Sequence, residues 1–376
     1  MKTVNRASSA IHFLVAACLL VLMLVSVPEA HAVVVKNLFN VEYPVPEQSK
    51  HIRAAVFKKG LEEVLIRVSG SRSILQEIIP GNAAAYVQQF SYVENEPDDE
   101  SASGSGATAA DSVYLSYILK VQYNADKIIN LLRENGQPVW GEHRSETMMW
   151  LAVRDGNNRY VLKDSDSSLL KDSVESSVNR RGVPVIWPVY DRKDRQKLGF
   201  TDVWAAFGDP VKAASKRYTR GPSIVGRLSW VGSEWKGDWS LFIENSAYGW
   251  STSGSDYNSV IAEGIDLSAD KIGKHYAVLE RKGINEPGLL VEINNVNSVQ
   301  SYRKIQAFLD GLTAVRQTRI ARVDEGKVLF RVDLRGDVDD FVRLVSTDRT
   351  LESVDEPIQP QGIPDQQTVL RYSYRN

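Results

Sequence analysis

The sequence reads as an α+β protein made of three small α/β modules in series, the last a ferredoxin-like β-α-β-β-α-β unit. Three observations lead there. Segments with apolar residues at every third and fourth position alternate with segments where they recur at every second. The 344 residues left after an amino-terminal export signal exceed what one compact core ordinarily holds. The order of elements after residue 281 matches a split β-α-β motif. The expected divisions are 33–145, 146–280 and 281–355, with a tail over 356–376.

The export signal occupies residues 1–32. Lys2 and Arg6 precede an apolar run over 11–27, Pro28 ends it, and Ala30-His31-Ala32 offers small residues to a signal peptidase. The apolar core is shorter than a spanning helix requires, so cleavage after Ala32 is preferred to a retained anchor. Val15-Ala16-Ala17-Cys18 resembles a lipoprotein box, but the residues after Cys18 are themselves the apolar core, which disfavours lipid attachment. Cleavage removes the single cysteine, leaving no disulfide and no thiol ligand. The expected address is the periplasm, with no membrane span after cleavage.

In the first module a strand-like run over 34–41 ends at Pro44 and Pro46. A helix over 50–68 follows, with Phe57, Leu61, Val64, Leu65 and Val68 on one face and Ser69-Gly70 as its stop. Strand segments are expected over 86–93 and 114–123, then a helix over 125–134. Between the strands, 94–112 is acidic and then Ser/Gly/Ala-rich, the composition of a disordered loop. Its Gly104-Ser105-Gly106-Ala107-Thr108-Ala109 fits a dinucleotide pattern by coincidence, since no strand and helix flank it.

The second module opens on a strand over 148–153 and a helix over 166–181 closed by Gly182. Residues 183–190 are extended, and an interrupted helix runs over 202–218, restarted by Asp209 as cap and Pro210 at the first position. Strands over 223–231 and 238–244 flank a polar turn in a hairpin pattern. A long helix over about 256–279 ends the unit. The third module gives a strand over 289–293, a helix capped by Ser298, and strands over 315–323 and 327–334 around Asp324-Glu325-Gly326. A helix capped by Asp337 and a strand over 351–354 complete it. Residues 368–374 can add one closing strand.

Four stretches carry a family resemblance: residues 53–70, Pro138-Val139-Trp140-Gly141, Met149-Trp150-Leu151-Ala152-Val153 and residues 218–230. Together they resemble uncharacterised exported proteins of gammaproteobacteria and relatives, a domain of unknown function. The resemblance spans roughly residues 35–280 and implies a Gram-negative source without an established activity. The hairpin after Tyr218 and the helix behind it resemble the amino-terminal domain of the Tol-system periplasmic protein, and curli-secretion and penicillin-binding-protein activator lipoproteins. The helix over 53–68 resembles the first domain of a flagellar-assembly protein. These are likenesses of fold and imply no site residues.

Chemistry-bearing patterns are sparse. Removing Lys2, Arg6 and Glu29 takes the 45 basic and 47 acidic residues to 43 and 46, and no basic stretch stands out, so nucleic acid is not expected as a partner. His51, His143 and His275 fall in separate segments with no ligand spacing, so neither metal nor cofactor is expected. No G-x-S-x-G elbow occurs, and S-x-x-K begins at Ser168, Ser268 and Ser301 without its companion motifs. With no nucleophile, base and orienting group in one constellation, the chain is not expected to be an enzyme.

Tryptophan is unevenly placed: all eight lie between Trp140 and Trp250. Trp150, Trp187 and Trp204 sit in apolar contexts and read as core, Trp204 on one helix face with Phe207 and Val211. Trp235 lies in the polar turn Gly232-Ser233-Glu234-Trp235-Lys236-Gly237 and Trp250 in Tyr248-Gly249-Trp250-Ser251. These two are the candidate contact or glycan-stacking residues. Arg144, at the junction of the first two modules, is either an interdomain salt bridge, the favoured reading, or an anion clamp. The expected function is non-catalytic binding or scaffolding of another envelope protein or a peptidoglycan-associated component. The alternative is a small molecule or glycan fragment held by the Trp-rich module. A scaffold should expose a flat apolar patch or open sheet edge, and a ligand binder a concave aromatic-lined pocket.

Overall fold

A computed structural model describes residues 33–94, 116–281, 288–354 and 369–375. The expected export signal over 1–32 and all but the first residue of the expected loop 94–112 lie outside them. The protein is α+β, with its helices packed on several small sheets.

The first sheet, in the order β2-β4-β3, contains β2 (Asn40–Val45), β3 (Val87–Glu94) and β4 (Tyr117–Tyr123). The two-residue β1 (Val33–Val34) instead pairs with β5 (His143–Arg144). Pro44 was expected to end the opening strand but lies within β2. An edge strand tolerates a residue with no N–H to give. Helix α1 (Lys50–Ser69) starts at Ser49, whose Oγ accepts from the Ile52 N–H, and ends at Gly70 with φ 79°. Its face of Phe57, Leu61, Val64 and Val68 packs on Val41, Leu119, Val121 and Tyr123. A short α2 (Ile74–Glu77), a 3₁₀ turn (Ala83–Tyr86) and α3 (Ala125–Glu134) complete this part.

The second sheet runs β11-β10-β9-β6-β7, with β8 also pairing β6. Its centre, β6 (Thr147–Asp155), is buried on both faces over most of its length and flanked by β7 (Asn158–Val161), β8 (Val185–Ile186) and the parallel β9 (Ser223–Val231). Then come β10 (Glu234–Ile243) and β11 (Ser246–Gly254). Met149, Leu151 and Val153 meet α4 (Leu169–Arg181) and α8 (Tyr257–Tyr276) on one face. Met148, Trp150 and Ala152 meet α6 (Phe200–Ala205) and α7 (Gly208–Ser215) on the other. A short α5 (Arg192–Lys197) precedes α6. The expected restart at Asp209 and Pro210 comes earlier: α7 begins at Gly208 with Phe207 as cap, leaving Pro210 within the first turn, where its missing N–H costs nothing.

Helices α1 and α8 meet backbone to backbone. A Cβ built on Gly273 of α8 would lie 2.2 Å from the Gly70 carbonyl oxygen and 2.5 Å from its Cα. Beside this contact, Arg72 pairs with Asp270 at 2.8 Å and Glu263 at 3.0 Å.

The third sheet contains β12 (Leu289–Asn294), β13 (Val315–Asp324), β14 (Lys327–Leu334), β15 (Leu351–Ser353) and β16 (Val369–Tyr374). Helices α9 (Val299–Gly311) and α10 (Val338–Ser346) connect them in the expected β-α-β-β-α-β order. The strand order is β13-β14-β12-β16-β15. The tail strand therefore does not close an edge. It pairs parallel with β12 and antiparallel with β15, separating the two strands that a ferredoxin-like unit places side by side. The buried side chains of this sheet continue without a break into those around α8.

Candidate functional site

The three residues singled out by sequence fall in different places. Arg144 is fully buried, and among the described residues it pairs with backbone carbonyls and not with a carboxylate, so it forms no interdomain salt bridge and has no N–H left for an anion. Its Nε donates to the Gly141 carbonyl at 3.0 Å, Nη1 to Arg181 and Gly182 at 3.2 and 2.7 Å, and Nη2 to Arg67 and Trp140 at 2.7 and 3.0 Å. All five N–H groups are spent on carbonyls at the carboxyl ends of α1 and α4 and the approach to β5. Burial, and then the nearby Arg67 and Arg181, hold its pKa well below the usual guanidinium range. Its face lies on the Trp140 ring, 3.7 Å from the centroid.

Trp235 is not in a turn. The β9–β10 turn is only Gly232-Ser233, so Trp235 already pairs with Trp230 across the hairpin and with Gly254 on β11. Half-buried, its ring meets Trp230 edge-on at 5.6 Å and Tyr257 at 5.9 Å. Trp230, 42% exposed, is the solvent-facing indole of that hairpin end. Trp235→Ala is therefore expected to lower stability by about 1–3 kcal/mol, between the surface and core classes. Denaturant titration checks this, and a change below about 0.5 kcal/mol would return the residue to the surface class.

Trp150 and Trp187 are buried as expected, whereas Trp204 is only partly so. Trp204 lies near the end of α6 and forms one wall of a groove of about 330 Å³ over β9, β10 and β11. The floor carries polar groups already held in position. Arg227 Nε donates to Asp238 at 2.9 Å and Nη1 to the Trp204 carbonyl at 3.1 Å, while Ser251 Oγ donates to Asp238 at 2.5 Å. Ser240 also lines the groove. Trp250, the second candidate from sequence, lies within β11 directly opposite Trp239, which turns its indole to the other face of the sheet, where among the described residues its buried nitrogen has no hydrogen-bond partner. The other face of the sheet is locked by Trp239, whose Nε1 donates to Thr252 at 2.9 Å.

The arrangement offers an aromatic wall, a carboxylate, a guanidinium and hydroxyls within one concavity, open to solvent. Asp238 and Arg227 are each about two-fifths exposed, so both still have solvated positions with which to meet a ligand. Such a surface suits hydrogen bonding to hydroxyls, beside a Trp204 ring that itself stacks on Phe200 at 5.6 Å and lies under the Arg154 and Arg227 guanidiniums. Sequence reasoning reached none of these residues as a contact and read Trp204 as core. The signal for the others is positional: Arg227, Asp238 and Ser251 alternate onto the face opposite Trp239, which is visible only once the three strands are paired. Among the described residues, no group of three or more His, Cys, Asp or Glu side chains is placed to hold a metal ion.

No curated protein matches the chain. Among solved structures, the crystal structure of Thermus thermophilus Protein Y N-terminal domain is 12% identical, over 34% of this chain and 94% of that one, with a TM-score of 0.19, too slight to bear on fold or function. The groove lies outside the part with a recognised relationship: residues 32–141 match a family model described as a domain of unknown function (DUF8605).

Proposed function

We propose that the protein is a non-catalytic binding protein of the cell envelope that holds a hydroxyl-rich small molecule or glycan fragment in the groove beside Trp204. The observation that supports this reading is the convergence of Trp204, Arg227, Asp238 and Ser251 on one concavity. The envelope address is part of the same proposal and rests on residues 1–32 and on the likeness to exported gammaproteobacterial proteins. So does the choice of peptidoglycan-associated material as the source of the glycan.

Intrinsic fluorescence titration of the intact chain with N-acetylglucosamine oligosaccharides tests the proposal, since Trp204 lines the groove. Saturable quenching is expected. Asp238→Asn should weaken the affinity about tenfold, the loss of one hydrogen bond to a charged group, and shift the thermal midpoint little, because the Arg227–Asp238 pair is about two-fifths solvent-exposed. A flat titration with neutral and anionic glycans alike would remove the proposal.

Docking of a protein partner is the second reading. It is favoured by β13, an edge strand of the third sheet on which Ile320 is 49% and Val323 62% exposed. Crosslinking in envelope extracts, followed by capture, separates the two: a partner lost on Ile320→Lys but retained on Asp238→Asn favours docking.

A further inference from the structure

Next to the groove, two arginines face each other across an antiparallel pair. Arg154 on β6 is directly opposite Arg159 on β7. Arg154 follows Met148, Trp150 and Ala152 on the alternation, which puts both guanidinium-bearing residues on the groove's side of the sheet. Among the described residues neither arginine has a carboxylate within salt-bridge distance or a hydrogen bond. The other two cations of this face are already matched, Arg227 by Asp238 at 2.9 Å and Lys236 by Glu234 at 3.2 Å. Asp155, next in the chain, alternates to the opposite face, where its charge acts on Tyr160.

Like charges directly opposite each other weaken a strand pair, and an acid at either position would strengthen it. The pair is nevertheless held in place: the Arg154 guanidinium lies over the Trp204 ring, 5.0 Å from its centroid. Trp204 thus serves two neighbours, as wall of the groove and as platform for Arg154. Two adjacent planar forks with free donors match the oxygens of a carboxylate or phosphate.

We infer that Arg154 and Arg159 are the anion subsite of the groove, so that its ligand is an anionic sugar. Resting on the glycan reading above, the arrangement sets hydroxyls against Asp238 and Ser251 and a carboxylate or phosphate between the two guanidiniums.

The test compares four probes on the intact chain at low salt by calorimetry. They are a neutral N-acetylglucosamine oligosaccharide, one of equal length bearing N-acetylmuramic acid carboxylates, a phosphorylated sugar, and inorganic phosphate. The anionic sugars are expected to bind about tenfold more tightly than the neutral one, a margin that shrinks as salt rises. Arg159→Glu is the informative variant. It turns a like-charged pair into an opposite-charged one, so the thermal midpoint should rise while the anionic margin disappears and neutral binding persists. Equal binding of neutral and anionic sugars would overturn the subsite and leave the groove reading standing. Phosphate binding that Arg159→Glu abolishes, with no sugar bound, would keep the subsite and remove the glycan reading. An anionic margin unchanged in Arg159→Glu overturns the subsite, and binding of no probe overturns both.

Discussion

Replacing Arg144 by Met is expected to cost about 3–5 kcal/mol of stability, the range for stripping a buried charged group from its partners. An ion pair in a core can often be exchanged for apolar side chains with little loss, because both charges leave together. Here the partners are carbonyls of Arg67, Trp140, Gly141, Arg181 and Gly182, and no side-chain substitution removes them. Methionine fills the volume but leaves acceptors unmatched, each at about 1–3 kcal/mol where water cannot reach. Two of the sites are helix ends, where the carbonyls carry the negative end of the backbone dipole and favour a cation. Arg144→Lys keeps the charge and loses the fork, so it should fall between wild type and Arg144→Met. Urea titration of the three proteins gives the order. A loss below about 1 kcal/mol in Arg144→Met would show those carbonyls finding other donors.

Gly273→Ala sets two effects against each other. In a helix interior alanine is favoured over glycine by about 1 kcal/mol, so propensity alone predicts stabilisation. The added Cβ would lie 2.2 Å from the oxygen and 2.5 Å from the Cα of Gly70, and both are backbone atoms. Side chains give way by changing rotamer, but this contact yields only if α1 and α8 separate. Separation would also stretch the pairs from Arg72 to Asp270 and Glu263. A net loss of about 2–3 kcal/mol is expected, the upper part of the range for overpacking. Gly81→Ala, where a Cβ meets nothing within 4 Å, is the control and should stay within about 0.5 kcal/mol of wild type. Thermal unfolding of both decides the sign, and a Gly273→Ala protein as stable as wild type would mean the helices slide at little cost.

The elements easiest to read from sequence were those whose periodicity and punctuation agree. Helix α1 joins a one-sided apolar face to Ser49 and Gly70 at its ends, and β14 alternates Val328, Phe330 and Val332 behind a short Gly-containing turn. Strand β11 went unread because Ser-Ala-Tyr-Gly-Trp-Ser-Thr-Ser-Gly lacks an apolar alternation. As an edge strand it owes its place to pairing along the length of β10. The same pairing explains the misplacement of Trp235. A polar, Gly-containing run looks like a six-residue loop, but Gly232 at φ 66° lets Gly-Ser alone reverse the chain. The groove was illegible for a related reason. Trp204, Arg227, Asp238 and Ser251 come from four elements, and no local pattern reports cross-strand register.

The interior position of β16 fixes when the third sheet can be finished. As the chain becomes available in amino-to-carboxyl order, β12, β14 and β13 can pair before residue 335 has passed, but the other flank of β12 waits for residues 369–374. Until they arrive, β15 has no partner in this sheet among the described residues, where β16 is its neighbour. The pairing joins residues nearly 80 positions apart in the chain, so closing that loop is paid before any contact rewards it. Until then the open flank of β12 is a template for another chain's strand as much as for its own. Among the described residues, it is β16 that covers that flank and ends the exposure.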